Sequence, residues 1–273
     1  MPELPEVETI VRVLEKSLMN DTIKAITLYY KPLLETQSEF AVDALCGSQF
    51  VGFTRRGKYL CFEMSNGLYW VVHLRMEGKF HLYDKPHRIN QHTHLLIQTD
   101  KREIHYLDTR KFSRMAVVSD LQQYLKTKNL GYEPFDENLS AQYLYDKITP
   151  SKRVIKNILL DQSIIAGIGN IYADEILYQV MIHPVTPGTH ISMIQCVAIL
   201  EATRNVLKAA ILQGGTTIRS YTSSLNVTGL FQVRLNTYGQ EGKACPRCGS
   251  SMKRIVISGR SSVFCAKCQK VKQ

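Results

Sequence analysis

The chain begins Met1-Pro2-Glu3-Leu4-Pro5-Glu6-Val7-Glu8, and this stretch decides how its N-terminal part is organised. A small residue after the initiator methionine normally allows that methionine to be removed, which leaves Pro2 with a free secondary amine. An α-amino group titrates near ~8, well below the ~10.4 of a lysine side chain, so a useful fraction is unprotonated at neutral pH. Such an amine can attack a carbonyl-like carbon and form a Schiff base. The stretch therefore predicts a nucleophile at the start of the chain.

Two acids accompany this amine. Glu3 adjoins Pro2, and Glu6 follows three residues later, a spacing that places both on one face of a helix. A simpler interpretation is also open, because proline fits the first turn of a helix and acids stabilise its positive end. Taken alone, the stretch favours that simpler interpretation, so the remaining motifs decide between the two.

Apolar residues recur at helical spacing behind these acids, from Pro5 to Leu18, and they predict a leading helix. Short segments with the composition and turn residues of β-strands follow. One helix and eight short strands predict an antiparallel β-sandwich. The predicted strands are Ile23–Tyr30, Gln49–Thr54, Tyr59–Met64, Leu68–Leu74, Lys79–Tyr83, His94–Thr99, Glu103–Leu107 and Phe112–Val118.

The pattern changes after the stretch Asp120–Asp136, where we expect a short helix, a loop and a domain boundary. Helical periodicity follows, and a polar stretch from Gly214 to Thr228 is predicted to be a mobile loop. The predicted fold is α+β with three domains: a β-sandwich at 1–130, a helical domain at 131–235 and a zinc-ribbon hairpin at 236–273. The predicted helices are Ser140–Ile148, Val154–Leu160, Ala173–Val180 and Ile191–Gln213.

The charge of the chain favours a polyanionic partner. Its 34 lysines and arginines exceed its 24 acids, and the formal net charge is +10. Such an excess suits nucleic acid, because each neutralised phosphate releases counterions, although a general solubility charge explains it equally well. No apolar run approaches the ~20 residues that cross a bilayer. Acids stand where a signal peptide has basic residues, so we expect a cytoplasmic protein without membrane partners.

Four of the seven cysteines form two pairs near the C-terminus, Cys245/Cys248 and Cys265/Cys268. Two residues separate the members of each pair and 16 residues separate the pairs, which is the spacing of a four-thiolate zinc site. Two disulfides are the alternative, but thiols stay reduced in the cytoplasm. Four ligands leave the metal no open position, so we predict one structural Zn²⁺.

Several polar residues have two possible interpretations. Arg260 lies in the predicted hairpin turn Gly259-Arg260 between the cysteine pairs, where it either reaches a phosphate or is simply solvated. Lys58 precedes a predicted strand and could be an ordinary turn lysine. The pair His92 and His94 could suggest a metal, but no third ligand is evident. The cluster Lys152, Arg153 and Lys156 could be a phosphate-binding surface or a solvated helix face.

The start PELPEVE, the segments 55–60, 73–78, 108–112 and 161–175, and the terminal cysteine pairs together resemble the formamidopyrimidine-DNA glycosylase family. These bacterial repair enzymes excise oxidised purines from DNA. The resemblance spans nearly the whole chain in the family's order. It implies that segment 161–175 is a helix-two-turn-helix element and that Arg260 belongs to a DNA-contacting zinc finger.

The resemblance also implies a role for each candidate residue. It assigns chemistry to Pro2, Glu3, Glu6, Lys58 and Arg260. It assigns to Met76, Arg110 and Phe112 the filling of the gap that a flipped nucleotide leaves, which suits an apolar wedge and an arginine that pairs with the widowed base. The further DNA contacts that we expect are His73, His92, Lys152, Arg153, Lys156, Asn170 and Arg260.

These residues imply a bifunctional glycosylase and abasic-site lyase that acts on damaged double-stranded DNA as a monomer, without a nucleotide cofactor. Formamidopyrimidine and 8-oxoguanine are the expected lesions, released through a Schiff base of Pro2 and followed by β,δ-elimination. The first alternative is the sister endonuclease VIII group, which has PEGPE at the start; Leu4 argues against it. The second is a zinc-ribbon protein that only binds DNA, which would need neither Pro2 nor Glu3.

Overall fold

The computed structural model of the protein describes residues 1–215 and 235–271, which form two compact units. The first unit contains Met1–Lys128 together with Gly214 and Gly215, and the second contains Asn129–Gln213 and residues 235–271. The predicted mobile loop at 214–228 lies outside the described residues except for its first two glycines. The division into three domains ending at 130, 235 and 273 stays a prediction.

The predicted leading helix is present as α1, Leu4–Leu18. Glu3 is its N-cap residue and Pro5 lies in the first turn, where its missing N–H has no cost. One stripe of the helix is buried and packs against strands of the sandwich: Leu4, Val7, Ile10, Val11, Leu14 and Leu18. This packing anchors the helix, so its N-terminal end, with Pro2 and Glu3, has a fixed position in the first unit.

The eight predicted strands all form, and they build the predicted antiparallel β-sandwich. One sheet has the order β1-β6-β7-β5 and the other has the order β2-β3-β4-β8. The sheets share a core in which the rings of Phe50, Phe53, Phe62, Trp70 and Phe80 pack against one another. The strands are β1 Ile23–Leu28, β2 Phe50–Arg56, β3 Tyr59–Met64, β4 Tyr69–His73, β5 Lys79–Tyr83, β6 Thr93–Thr99, β7 Glu103–Leu107 and β8 Arg114–Val118.

Helices α2 to α6 follow, and four of them build the core of the second unit. Helix α2, the short helix expected before the boundary, is capped by Asp120, whose carboxylate accepts from the Gln123 N–H. Helix α5 begins three residues earlier than predicted because Gly169 serves as its N-cap in an extended conformation. The helices are α2 Leu121–Thr127, α3 Ala141–Ile148, α4 Ile155–Leu159, α5 Asn170–Gln179 and α6 Met193–Leu212. No helix in the described ranges is long and apolar enough to cross a membrane.

The C-terminal hairpin consists of β9, Lys253–Ile257, and β10, Arg260–Phe264. Ile257 pairs with Arg260, so the two-residue turn is Ser258-Gly259, and both turn residues have positive φ, +48° and +77°. Two positive φ angles are those of the type I′ turn that suits the twist of a hairpin. The predicted turn at Gly259-Arg260 was wrong by one residue: Arg260 begins the returning strand.

Candidate functional site

Two buried carboxylates lie at the N-terminal end of α1. Glu3 and Glu6 are each 2% exposed, and the Glu3 N–H donates to Oε2 of Glu6 at 3.0 Å. This bond is half of a capping box, which satisfies a backbone donor that the helix itself leaves without a partner. The backbone next to half-buried Pro2 is therefore held by Glu6. Two carboxylates beside the Pro2 nitrogen could act as general acids or bases on a substrate bound there, so this end of α1 is a candidate reaction site.

Gly215 packs against the side chain of Glu6. Its φ is +75°, and a Cβ at this position would lie 2.8 Å from Oε1 of Glu6. Both the backbone angle and the close approach exclude a side chain here. The sequence marked Gly214-Gly215 only as a helix stop, because a contact with a residue more than 200 positions earlier leaves no local pattern.

Lys58 lies in the hairpin between β2 and β3 and is 6% exposed. The adjacent Arg55 holds this hairpin: its Nη1 donates to Gly57 O at 3.1 Å and its Nε to Oε2 of Glu8 on α1 at 2.9 Å. Burial alone would raise the pKa of Glu8, but hydrogen bonds and charges from Arg55 and Arg12 outweigh it and lower the pKa. Glu8 therefore stays ionised, and the ion pair fixes the lysine hairpin to α1.

His73 stands opposite Tyr59 in the β3–β4 pairing, with ring centroids 4.7 Å apart. Its Nδ1 accepts from the Arg75 N–H at 3.0 Å. Burial, followed by the positive charges of Arg75 and Lys58, lowers its pKa to about 3. The imidazole is therefore neutral at physiological pH and carries its proton on Nε2. A neutral N–H donor suits a phosphate oxygen, and the DNA contact expected of His73 stays a prediction.

The residues predicted to fill the gap lie on two loops of the first unit. Met76 lies on the loop Leu74–Gly78, which the Gly78 N–H closes by donating to Leu74 O at 3.0 Å. Arg110 and Phe112 lie on the loop 108–113, with the guanidinium 4.8 Å from the centroid of the phenyl ring. Met76 is 38% and Phe112 49% exposed. Both side chains are therefore too exposed to belong to the core.

Asp108 organises the loop that carries Arg110 and Phe112. It is fully buried, and its carboxylate accepts from the Arg110 N–H at 2.9 Å, the Ser113 N–H at 2.8 Å and the Ser113 hydroxyl at 2.6 Å. Burial would raise its pKa, but the bonds from Ser113 and the loop backbone lower it. An ionised carboxylate thus fixes the loop. No sequence pattern marked Asp108 or Ser113 for this task.

His92, just before β6, and His94, within β6, make different contacts. His92 is half-buried, and its N–H donates to Oδ1 of Asn90 at 2.8 Å. His94 is buried, and its Nε2 donates to Asp108 O at 2.7 Å. His94 is thus occupied in holding the loop 108–113, and these two histidines do not form a metal site. The DNA contact expected of His92 stays a prediction.

Lys156 is buried, contrary to the phosphate contact expected of it. The sequence placed it in a basic cluster that contacts phosphates, but its side chain is fully buried. Its Nζ donates to the carboxylate of Asp174 and, at 3.2 Å, to Asn170 O. The side chain lies on the inner face of α4, next to Ile155, so it is withdrawn from any ligand. Lys156 is a structural ion-pair partner, and charge in a sequence does not reveal burial.

Asp174 and Asn170 dock the zinc hairpin onto α5. Oδ2 of Asp174 accepts from the Val263 N–H at 3.2 Å, and its Oδ1 accepts from the Ser262 hydroxyl. Nδ2 of Asn170 donates to Ser261 O at 2.9 Å. One hydrogen of that amide is therefore used for docking, and the second is the one available for the DNA contact expected of Asn170.

Arg153 and Arg260 line one cleft of about 260 Å³ in the second unit, together with Leu160, Asn157, Asp161 and Ser258. Arg153 donates to Oδ2 of Asp161 at 2.9 Å and keeps half of its side chain exposed. Arg260 is exposed at the turn, and Lys152 is exposed beside Arg153. Lys152, Arg153 and Arg260 are exposed and can therefore reach an anion, whereas Lys156 is buried and cannot.

The four paired cysteines come together. The Sγ atoms of Cys245, Cys248, Cys265 and Cys268 all lie within 4.8 Å of one another, with separations of 3.5 Å between Cys248 and Cys265 and 4.0 Å between Cys245 and Cys268. A tetrahedron with Zn–S bonds of ~2.3 Å has S···S edges of about 3.8 Å, whereas a disulfide needs ~2.05 Å. The donor set fits zinc and does not fit two disulfides.

Three family models match the chain: the formamidopyrimidine-DNA glycosylase N-terminal domain at 1–115, the H2TH domain of the same enzyme at 130–222, and a zinc finger found in FPG and IleRS at 242–271. The chain belongs to the formamidopyrimidine-DNA glycosylase family. This membership confirms the resemblance that the sequence motifs indicated.

Relatives that match along their whole length support the family assignment. The formamidopyrimidine-DNA glycosylase of Ligilactobacillus salivarius is 41% identical over all of both chains. That of Bacillus anthracis is 38% identical over 98% of this chain and 99% of its own. The Lactococcus lactis Fpg, in complex with DNA containing an abasic site, matches with a TM-score of 0.93 and 36% identity over 98% of this chain and 99% of that one.

Membership in the glycosylase family and the sulfur cluster together confirm the predicted structural Zn²⁺. The metal supplies a crosslink between the two ends of the hairpin. Among the described residues, the apolar cluster beneath it is small and includes Tyr178, Met252 and Val263. The hairpin therefore depends on the metal for its fold.

We expect Cys248→Ser to unravel the hairpin and lower the affinity for DNA. Zinc binding at such sites releases about 10 kcal/mol or more, which is folding energy. The loss of a hydrogen-bonded cation such as Arg260 should weaken binding by about tenfold or more. The first unit should stay folded, and fluorescence reports this because the chain's one tryptophan, Trp70, is buried in the sandwich.

Elemental analysis, DNA titration and Trp70 emission measure these effects. Cys46→Ser is the matched control, because Cys46 is exposed and belongs to the other unit. Wild-type protein that contains no zinc would contradict the assignment, as would a Cys248→Ser variant with unchanged affinity.

Proposed function

We propose that this chain is a bifunctional DNA glycosylase and abasic-site lyase that removes oxidised purines from duplex DNA. The observation that carries the proposal is the pair of buried carboxylates, Glu3 and Glu6, on the backbone that adjoins Pro2. The capping box explains why the two acids are buried, and their position beside the N-terminal amine suits them to acid–base chemistry that DNA binding alone does not need. Formamidopyrimidine and 8-oxoguanine are the proposed lesions.

In the first chemical stage, a bond from C1′ to the enzyme replaces the bond from C1′ to the base. The Pro2 nitrogen forms a bond to C1′ of the sugar while the glycosidic bond breaks, and the proton that the nitrogen gives up passes through solvent to the departing base. Glu3 acts as the general acid that protonates the ring oxygen, and the sugar opens to an iminium ion on Pro2. Glu6 contributes to the local electrostatic field and holds the Glu3 backbone.

The second stage cleaves the strand. The iminium cation acidifies the C2′ proton, so its loss expels the 3′ phosphate, and a second elimination expels the 5′ phosphate. Lys58 and Arg260 are proposed to assist these steps as cations near the departing phosphates. Elimination needs neither a redox carrier nor a phosphoryl donor, so we propose that the enzyme works without a nucleotide cofactor. We also propose that it acts as a monomer.

Access to the lesion requires that the nucleotide leave the base stack. Met76 and Phe112 are proposed to fill the gap and Arg110 to pair with the opposite base, a task that their exposure supports. Phosphate contacts are proposed for the remaining polar residues: His73, His92, Lys152, Arg153, Asn170 and Arg260.

Cleavage of two duplexes at saturating enzyme tests this function. One duplex contains a single 8-oxoguanine and the other a single thymine glycol, an oxidised pyrimidine. The proposal expects single-turnover cleavage of the first to be much the faster. Preference for thymine glycol would instead assign the chain to the endonuclease VIII activity, and binding without cleavage would leave a DNA-binding protein.

We expect Met76→Ala to slow excision from a paired duplex while cleavage of a preformed abasic site changes much less. Extruding a paired nucleotide costs a few kcal/mol, and less when the base is already missing. The measurement is single-turnover cleavage of both substrates by the same enzyme preparation. Equal loss on the two substrates would mean that Met76 supports the fold and has no role in extrusion.

A further inference from the structure

The two gap-filling loops meet at one side chain, Ser113. Its buried hydroxyl lies 2.6 Å from Oδ2 of Asp108, on the loop of Arg110 and Phe112, and 3.0 Å from Leu74 O, on the loop of Met76. A hydroxyl has one hydrogen, so this hydrogen is shared between the two acceptors. Ser113 therefore connects the loops directly.

The connection leaves little room for relative movement. A Cβ placed on Gly78 would lie 2.4 Å from the Ser113 Oγ, 2.1 Å from the Tyr106 hydroxyl and 2.8 Å from Leu74 O. The end of the Met76 loop is thus in close contact with Ser113. Close packing of this kind transmits a displacement of one loop to the other.

Each loop keeps internal hydrogen bonds when the Ser113 hydroxyl is removed. The Gly78 N–H still closes the Met76 loop, and the backbone N–H groups of Arg110 and Ser113 still bind Asp108. Removing the hydroxyl therefore preserves the shape of each loop. It removes the bond that sets the position of one loop relative to the other.

We propose that the Ser113 hydroxyl is a positioning group that holds the Met76 loop and the Arg110–Phe112 loop in register, so that the three side chains enter the DNA together. The proposal rests on the extrusion role given to these side chains under the proposed function. Ser113 acts through the loops and touches neither the lesion nor the reacting atoms.

The variant Ser113→Ala tests the proposal. Loss of a hydrogen bond to a charged group should slow single-turnover excision of 8-oxoguanine from a paired duplex by about tenfold. Cleavage of a preformed abasic site should change by less than about twofold, since extrusion of a missing base costs less. Ser48→Ala is the matched control: Ser48 is also buried in the first unit and bonds Leu45 O at 2.6 Å, outside both loops. Unchanged Trp70 emission in both variants shows that the sandwich is folded.

A double-mutant cycle with Met76→Ala separates positioning from general destabilisation. If Ser113 acts through the Met76 loop, adding Ser113→Ala to Met76→Ala should cause little further loss on the paired duplex. Fully additive losses, equal losses on both substrates, or a Ser113→Ala variant indistinguishable from wild type would each overturn the proposal. Failure of wild-type protein to excise 8-oxoguanine would overturn the proposed function itself, which is a different result.

Discussion

Protein that carries any extension before Pro2 is expected to bind a duplex with an abasic-site analogue normally and yet to form no borohydride-trapped adduct. An extended chain has an amide nitrogen at Pro2, which has no lone pair available for attack on C1′. Loss of a covalent nucleophile lowers turnover by about 10³-fold or more. The measurement compares DNA affinity, by titration, with the yield of trapped complex.

A removable extension provides the control for this prediction. The same preparation, treated with a protease whose cut leaves Pro2 as the first residue, should regain trapping and excision together. Trapping by the uncut protein at the normal rate would show that another amine, such as that of Lys58, is the nucleophile.

The second large effect is expected for Glu3→Gln, which should retain DNA binding and lose base excision. Glutamine has nearly the same shape as the buried glutamate, 2% exposed, but cannot deliver a proton to the ring oxygen. Positioned acids contribute typically about 10²- to 10⁴-fold to the rate, so single-turnover excision of 8-oxoguanine should fall within that range.

Glu15→Gln is the matched control, because it removes the same charge from an exposed position of the same helix, α1. It should leave excision unchanged. If Glu3→Gln lost binding and excision in equal proportion, Glu3 would be a structural cap of the helix and Pro2 would need another acid.

The sequence was sufficient for features that local patterns encode. Buried and exposed residues alternate along the strands and recur as a stripe along α1, because one face of each element is buried. The spacing of the four cysteines likewise predicts a zinc site. The predicted turn was misplaced by one residue because Ser258, which is not a glycine, adopts a positive φ of +48° and forms the turn with Gly259.

Long-range contacts could not be predicted in this way. Lys156 has the same charge and neighbourhood in the sequence as Arg153, but one is buried against Asp174 and the other is exposed. Ser113 matters because its hydroxyl bonds Leu74 O, 39 residues earlier in the chain. Only the folded chain brings such partners together, so a motif identified the exposed side chains but not the residues that position them.

The site of the covalent adduct decides whether Pro2 is the nucleophile. The protein would be reduced with borohydride during reaction with an 8-oxoguanine duplex, digested and analysed by mass spectrometry. We expect one modified peptide, which begins at Pro2, lacks Met1 and carries the sugar remnant on the proline nitrogen. A sugar remnant on Lys58 or any other lysine, with an unmodified N-terminal peptide, would contradict this expectation.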